Sequence, residues 1–423
     1  MPSPALLVVS MVIALGMTFP LLYVVYQSFM AGSESWKRLL DTRIPELLWS
    51  TLSLGAAVTL TSTFIGVSLA WLVTRTDLPG KKLWKWLLAL PLVIPPYVGA
   101  VTYIIVLGPR GWLYEAVRTV SGNDGGYSFD IYSFFGVFSV LTLFTYPYVY
   151  LITSASLRKI SQTYEEVGRS LGHNGFYIFF RIILPMLVPA IGAGGILVFL
   201  YVISDFGAVS MLRYVTFTSA IYYQRAGFDI PSASVLSLVL VGVTMVALLI
   251  EKWMKGRKSY YQTKGMTGEV QTLRLGKYKG LSLLYVMFIF LVSAALPIIV
   301  LSYWTYVGAD SGLIDSTIIE YTLNSFQVAA LTAGASMVFS VPLVYLYSRH
   351  YSVFSSLIYK LSYTGYALPG VIVALGLVYI FNNHIPVLYN TVFLIVVAQL
   401  IRFMPQVLQS GETALEHGFA AYR

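Results

Sequence analysis

The chain reads as long apolar runs separated by short polar stretches. A bilayer hydrocarbon core of about 30 Å takes roughly 20 residues of helix. Ten runs approach or exceed that length: 5 to 29, 47 to 74, 83 to 107, 131 to 154, 177 to 203, 233 to 251, 281 to 304, 322 to 347, 355 to 380 and 389 to 411. They are continuous rather than alternating, so they predict membrane helices and not the dyad-repeat strands of a barrel. The first run, Ala5 to Met30, outlasts a signal-peptide core and no Lys or Arg precedes it, so it reads as a retained span. The expected fold class is an all-α polytopic membrane protein.

Composition agrees. Hydrophobic residues make up 57% of the 423 positions and charged residues 11%, with a mean hydropathy of +0.75, too apolar for a water-soluble domain. Cysteine is absent, which excludes disulfides and thiolate metal sites. With the N-terminus inside, 20 of the 27 Lys and Arg fall in cytoplasmic loops and helix ends, Arg75 and Arg402 among them, and seven fall outside. The positive-inside rule therefore predicts a multi-pass protein of the cytoplasmic (inner) membrane, N-terminus inside. The net charge of +9 follows from this topology and gives no reason to expect a nucleic-acid partner. The largest basic block, 251–280, is a predicted cytoplasmic linker. It divides a first repeat of six spans (1–250) from a second (281–423).

The two sides of the linker share landmarks. Arg75 and Arg349 both close a second span, and Ile94-Pro95-Pro96-Tyr97-Val98-Gly99-Ala100 aligns with Leu368-Pro369-Gly370-Val371-Ile372-Val373-Ala374 at the same offset of 274. Tyr146-Pro147 matches Met404-Pro405 at an offset of 258. Six spans separate the two starts, so the repeats run in the same direction, as expected for a pseudo-two-fold axis along the membrane normal. Pro95-Pro96 and Pro369-Gly370 occupy matching positions, which predicts broken helices beside a translocation path.

Between the fourth and fifth spans lies Glu165-Glu166-Val167-Gly168-Arg169-Ser170-Leu171-Gly172, followed after nine residues by Ile182-Ile183-Leu184-Pro185. This resembles the EAA loop of ABC importer permeases, whose pattern is E-A-A, three residues, G, nine residues, I-x-L-P. Glu166, Gly172, Ile182, Leu184 and Pro185 fall on its fixed positions, and Val167 and Gly168 replace the two alanines. A basic loop lying on lipid headgroups would not require that spacing. The resemblance implies that residues 163–185, including Glu165 and Arg169, form a coupling helix docked on a cytoplasmic ATPase. Glu166 suits a helix N-terminus, small Gly168 allows close approach by a partner surface, and Gly172 can take the left-handed conformation that ends a helix. The chain has no G-x-x-x-x-G-K-[ST] phosphate loop, so it binds no nucleotide by that route and is not expected to be an enzyme. ATP and its magnesium would be used by a separate ATPase subunit, present in two copies, with an external or periplasmic binding protein delivering substrate.

Pro147 stands 19 positions before Glu166, and the same count from Pro405 falls one place beyond Arg423. This predicts a second permease repeat that is incomplete, truncated after its fourth span and short of its own coupling motif; a ten-span protein is the alternative. Tyr201 to Ser210, Thr216 to Thr218, Leu90-Pro91, Pro95-Pro96-Tyr97 and Gly108 to Gly111 are similar to the fused two-half permeases of ferric-iron importers. Permeases for thiamine, phosphonate, sulfate and polyamines share the architecture. Asp205, at the outer end of the fifth span, either faces the pathway or caps the turn that follows it. The histidines, His173, His350, His384 and His417, are scattered and predict no metal site. An ion-coupled secondary transporter is the competing class, disfavoured because such proteins bury ionisable groups near mid-membrane. A membrane enzyme or receptor lacks any visible catalytic cluster or soluble domain.

Overall fold

The computed structural model describes residues 2–121, 129–161, 163–256, 273–313 and 315–420. The described residues are helical throughout, apart from turns and one isolated bridge. In chain order the helices are α1 (Pro4–Met30), α2 (Gly32–Thr42), α3 (Ile44–Arg75), α4 (Lys81–Leu87), α5 (Pro96–Leu107), α6 (Trp112–Ser121), α7 (Phe134–Lys159), α8 (Thr163–Ser170), α9 (Gly175–Ile178), α10 (Leu184–Ser204), α11 (Gly207–Met211), α12 (Phe217–Ala226), α13 (Ile230–Gly256), α14 (Lys279–Phe290), α15 (Leu296–Asp310), α16 (Thr317–Arg349), α17 (Val353–Ser362), α18 (Thr364–Ala367), α19 (Gly370–Asn383) and α20 (Val392–Ala420). A π-helical turn, Leu291–Ala295, joins α14 to α15 in one long span.

Eight of the described helices are long and apolar enough to cross a membrane, against the ten expected. The two that differ are the third and ninth runs, and both are broken. The first pair, Lys81–Val93 and Pro96–Val120, is bent by 93°. Its N-terminal arm, α4, is a short basic and aromatic helix with Lys81, Lys82, Trp84, Lys85 and Trp86, a composition suited to the membrane interface. The ninth run divides into α17, α18 and α19, and α19 has only 14 residues, about 21 Å at 1.5 Å per residue.

Both breaks have the same backbone. Ile94 and Pro95 lie at φ/ψ of −92/112° and −58/136°; Leu368 and Pro369 lie at −98/114° and −53/142°. A residue preceding proline is pushed out of the helical region, and proline then sets the φ that starts the next helix. The carbonyls left open near the first break are met by side chains: Tyr150 Oη donates to Lys85 O (3.2 Å) and Tyr146 Oη to Leu88 O (3.1 Å). Such rescue is what a broken helix needs where water is excluded.

The chain folds into two compact units, one formed by 1–46, 220–245 and 308–423, the other by 47–219 and 246–307. In the first, α1 packs on α16, α17 and α19. Tyr23 stacks on Tyr379 with ring centroids 4.5 Å apart, and a Cβ on Gly376 would lie 2.8 Å from Pro20 Cα. In the second, Leu69, Leu88, Tyr146, Tyr150, Leu157, Ile183, Leu187 and Ile289 share one buried core. The units are thus discontinuous: the opening span of each sequence repeat packs among helices of the other. The greater part of the 251–280 linker lies outside the described residues.

Arg402 does not stand near a helix end. It lies at the centre of the span Val392–Glu412, so the positive-inside comparison becomes 19 against seven with one cation within the span; the predicted orientation does not change.

Candidate functional site

The loop between α7 and α10 begins with an eight-residue helix, α8. Glu165 and Glu166 lie in its first turn, where carboxylates oppose the positive end of the helix dipole. Its C-terminus is closed by a paired arrangement: Gly172 N donates to Arg169 O (2.8 Å) and His173 N to Gly168 O (3.1 Å). Gly172 sits at φ +81° with no atom near a hypothetical Cβ. This is the left-handed glycine stop in which the two amides after the helix satisfy its last free carbonyls. Asn174 then accepts from Tyr177 N (2.8 Å), starting α9. The chain re-enters the membrane through a π-helical turn, Phe179–Ile183, and α10.

The two faces of α8 differ. Glu165 and Gly168 are buried, whereas Tyr164, Glu166, Val167, Arg169 and Leu171 are exposed. A Cβ on Gly168 would lie 2.9 Å from Ile178 Cγ1 and 3.4 Å from Ile182 Cδ1. The close approach that Gly168 permits is therefore made by its own chain, which corrects the expectation that this face meets a partner. Ile178 and Ile183 are buried in the core around Tyr146 and Tyr150, with Ile182 packed at its edge. Leu184 is half-buried and Pro185 exposed at the start of α10. Together the Ile-x-Leu-Pro segment anchors the loop.

Glu165 is held from the membrane side by Arg75, the last residue of α3. Arg75 Nη1 lies 3.3 Å from Glu165 Oε1, with side chains 3% and 5% exposed. The same guanidinium donates through Nη2 to Leu157 O and Ile160 O, both at 2.7 Å. These are carbonyls at the end of α7 that lack intrahelical donors. Burial pushes the Glu165 carboxyl above its ordinary range, against the opposing pull of Arg75 and Arg169. Two residues on, Asp77 accepts from Leu275 N (2.8 Å) and from Lys279 Nζ (3.1 Å), and Leu273 N donates to Arg75 O (2.8 Å). The Leu275 amide, followed by Lys279, holds the Asp77 carboxyl below the usual range. Neither Arg75 nor Asp77 stood out in the sequence as part of the site. The available hint was that Arg75 ends an apolar run and is matched by Arg349 at the repeat offset.

The remaining predicted residues lie elsewhere. Asp205 Oδ2 accepts from Ala208 N (3.0 Å) and Val209 N (3.1 Å), and Asp205 O accepts from Thr218 Oγ1, so the carboxylate caps the turn that follows it. A Cβ on Gly207 would lie 2.8 Å from Tyr97 Cβ, so the Asp205-Phe206-Gly207 turn rests on the start of α5, next to Pro95 and Pro96. Pro369 and Gly370 belong to the other compact unit, where a Cβ on Gly370 would meet Arg402 Nη1 at 2.8 Å.

Residues 62–259 match the family described as binding-protein-dependent transport system inner membrane component. The Fe(3+)-transport system permease protein FbpB 2 of Haemophilus influenzae is 32% identical over 411 residues, covering 96% of this chain and 77% of that protein. The ferric transport system permease protein FbpB of Actinobacillus pleuropneumoniae is 24% identical, covering 86% of this chain and 55% of that protein. The molybdenum transport system permease protein ModB of Escherichia coli is 28% identical over 212 residues, 48% of this chain and 90% of that protein. With its many apolar helices and an EAA-type loop folded as a capped helix between two spans, the chain belongs to the binding-protein-dependent ABC permeases, the inner-membrane components of these transport systems.

Proposed function

We propose that this permease carries ferric iron from an external binding protein to the cytoplasm, driven by ATP hydrolysis on two copies of a cytoplasmic ATPase subunit, with the N-terminus inside. The observation that carries the coupling role is the exposed edge of α8. Tyr164, Val167 and Leu171, at helical spacing, are 45%, 52% and 71% exposed, while the opposite face is fixed to the membrane helices through Glu165 and Gly168. An apolar edge on a rigid, short helix is suited to insertion into a partner's groove. The ATPase would hold the nucleotide and its magnesium. Ferric iron is favoured as cargo over sulfate or molybdate because the similarity to the Fe(3+) permease extends over nearly the whole chain, whereas that to the molybdenum permease covers about half.

Co-expression with a cytoplasmic ABC ATPase and a ferric-iron-binding protein tests both points. The expected result is that the ATPase co-purifies, that Leu171→Asp abolishes co-purification while leaving membrane insertion intact, and that cells accumulate radioactive iron. Unchanged co-purification of Leu171→Asp overturns the docking assignment; accumulation of molybdate or sulfate without iron overturns the cargo.

A further inference from the structure

We infer that Arg75 is a positioning residue that makes α8 move as one body with α3 and α7, so that displacement of the docked helix reaches the membrane spans through its guanidinium. The inference rests on the reading that α8 docks the ATPase.

Apolar contacts such as those of Gly168 with Ile178 and Ile182 are non-directional and allow sliding. A planar guanidinium is different, because its donors diverge in fixed directions and define the relative placement of the groups that accept from them. Here the guanidinium donates to two acceptors at the end of α7, Leu157 O and Ile160 O, and its other terminal nitrogen forms an ion pair with Glu165 Oε1 on α8 at 3.3 Å. The side chain that grips them is the last residue of α3, so three elements meet at one rigid group.

The near-complete burial of the pair keeps water from competing for these partners, and electrostatic contacts are stronger where solvent is excluded. The grip extends one step further. Arg75 O accepts from Leu273 N, and Asp77 holds Leu275 N and Lys279 Nζ at the start of α14. A push on α8 thus has a polar route to α3, α7 and α14, all within one compact unit.

A purely structural role for Arg75 would affect stability but not how α8 moves relative to α3 during the ATP cycle. The absence of cysteine allows paired spin labels at Ser170 of α8 and Phe64 of α3, both exposed, in the full chain bound to its ATPase. The distance distribution is measured by electron paramagnetic resonance with and without ATP. With Arg75 and Glu165 intact the mean distance is expected to stay constant. In Glu165→Ala it is expected to shift with nucleotide by about 1–2 Å or more, the scale of helix displacements at moving interfaces.

The apolar double variant Arg75→Met/Glu165→Leu, which leaves no unpaired charge, is expected to show the same nucleotide-dependent shift and serves where Glu165→Ala fails to fold. A nucleotide-dependent distance in the parent protein, or an invariant one in the double variant, overturns the inference. Leu171→Asp, run in parallel, separates the two readings. If it leaves ATPase binding unchanged, the docking assignment is wrong; if it abolishes binding while the double variant stays rigid, only the role of Arg75 is wrong.

Discussion

Removing Arg75 and removing the charge of Glu165 should have very unequal costs. Arg75→Met deletes both hydrogen bonds to the end of α7 as well as the ion pair, and leaves a buried carboxylate with only the weaker pull of Arg169 to offset its burial. Breaking a buried pair by removing one partner costs about 3–5 kcal/mol. Glu165→Gln leaves Arg75 with its two carbonyls at 2.7 Å and loses only the ion-pair contact at Glu165 Oε1, while no carboxylate is then buried, so the loss is nearer to that of one polar contact, about 1 kcal/mol. The upward displacement of the Glu165 carboxyl despite its cationic neighbour says the same thing: burial opposes the carboxylate more than Arg75 supports it.

The assay places a single cysteine at Ile178, which is 2% exposed beneath α8, and follows its modification against an exposed Leu171→Cys control. With each 1.4 kcal/mol worth a factor of ten, Arg75→Met should speed labelling by about 100-fold or more and Glu165→Gln by less than about 10-fold. A carboxyl whose folded-state pKa lies above its unfolded value binds more protons when folded, so stability rises as pH falls through that folded pKa. The Arg75→Met penalty should therefore shrink at lower pH as Glu165 protonates, while that of Glu165→Gln should grow, because the parent gains stability there and the amide, which does not titrate, does not. Equal labelling rates in the two variants, or no acceleration in Arg75→Met, would show that the guanidinium does not hold this region together.

Gly172→Val places a β-branched residue at φ +81° in open space, so its cost is backbone strain alone, about 1–2 kcal/mol, and Gly172→Asn should cost less; ATPase co-purification at increasing detergent stringency should rank glycine above asparagine above valine. Asp77→Asn should expose the chain at Arg274 and Lys277 to faster tryptic cleavage, because the Leu275 and Lys279 contacts weaken. A depressed carboxyl stays ionised until the pH falls below the usual carboxylate range, so in the parent protein cleavage, scaled to that of an unfolded reference peptide at each pH, should be equally slow at pH 5 and pH 8, and scaled acceleration at pH 5 would contradict the assignment. A reporter fused after Lys264 should report cytoplasmic and one after Asp310 external, and the reverse pattern would invert the topology.

What the sequence made legible was local. The two proline breaks could be anticipated because Ile94-Pro95 and Leu368-Pro369 each restrict the backbone by themselves, and the helix stop at Gly172 needs only a residue tolerant of positive φ. Hydropathy alone could not register their consequence for the span count, since it sums apolar residues without regard to a bend, and so the third and ninth runs count as full spans. Arg75 was hidden for the opposite reason. A cation at a cytoplasmic helix end is what the positive-inside rule expects of many residues, and its partners Leu157, Ile160 and Glu165 are 82, 85 and 90 positions away. Gly168 was recognised as a site of close approach, yet nothing local indicates that Ile178, ten residues later, fills the space. The placement of α1 among α16, α17 and α19 was equally unreadable, because a helix solvated by lipid needs no polar face to mark which neighbours it takes.

The matched breaks connect these observations. Two segments 274 positions apart adopt the same extended-then-helical backbone within about 6° in each angle, although their sequences share only the proline start and an apolar continuation. The surroundings are not equal. Beside the first break, a Cβ on Gly99 would lie 2.1 Å from Phe144 Cε2, whereas beside the second the nearest neighbour of Gly370 is the Arg402 guanidinium. The repeat offset of 258 brings Phe144 and Arg402 to the same register, so the fold is repeated while its chemistry is not. An apolar ring stands at one break and a cation within a candidate span at the other, and a charge at that depth is costly unless it serves a purpose or meets a partner. Arg402→Phe, which copies the first repeat at this position, should therefore preserve insertion and reduce transport. Full transport by that variant would show that the difference between the two breaks is neutral.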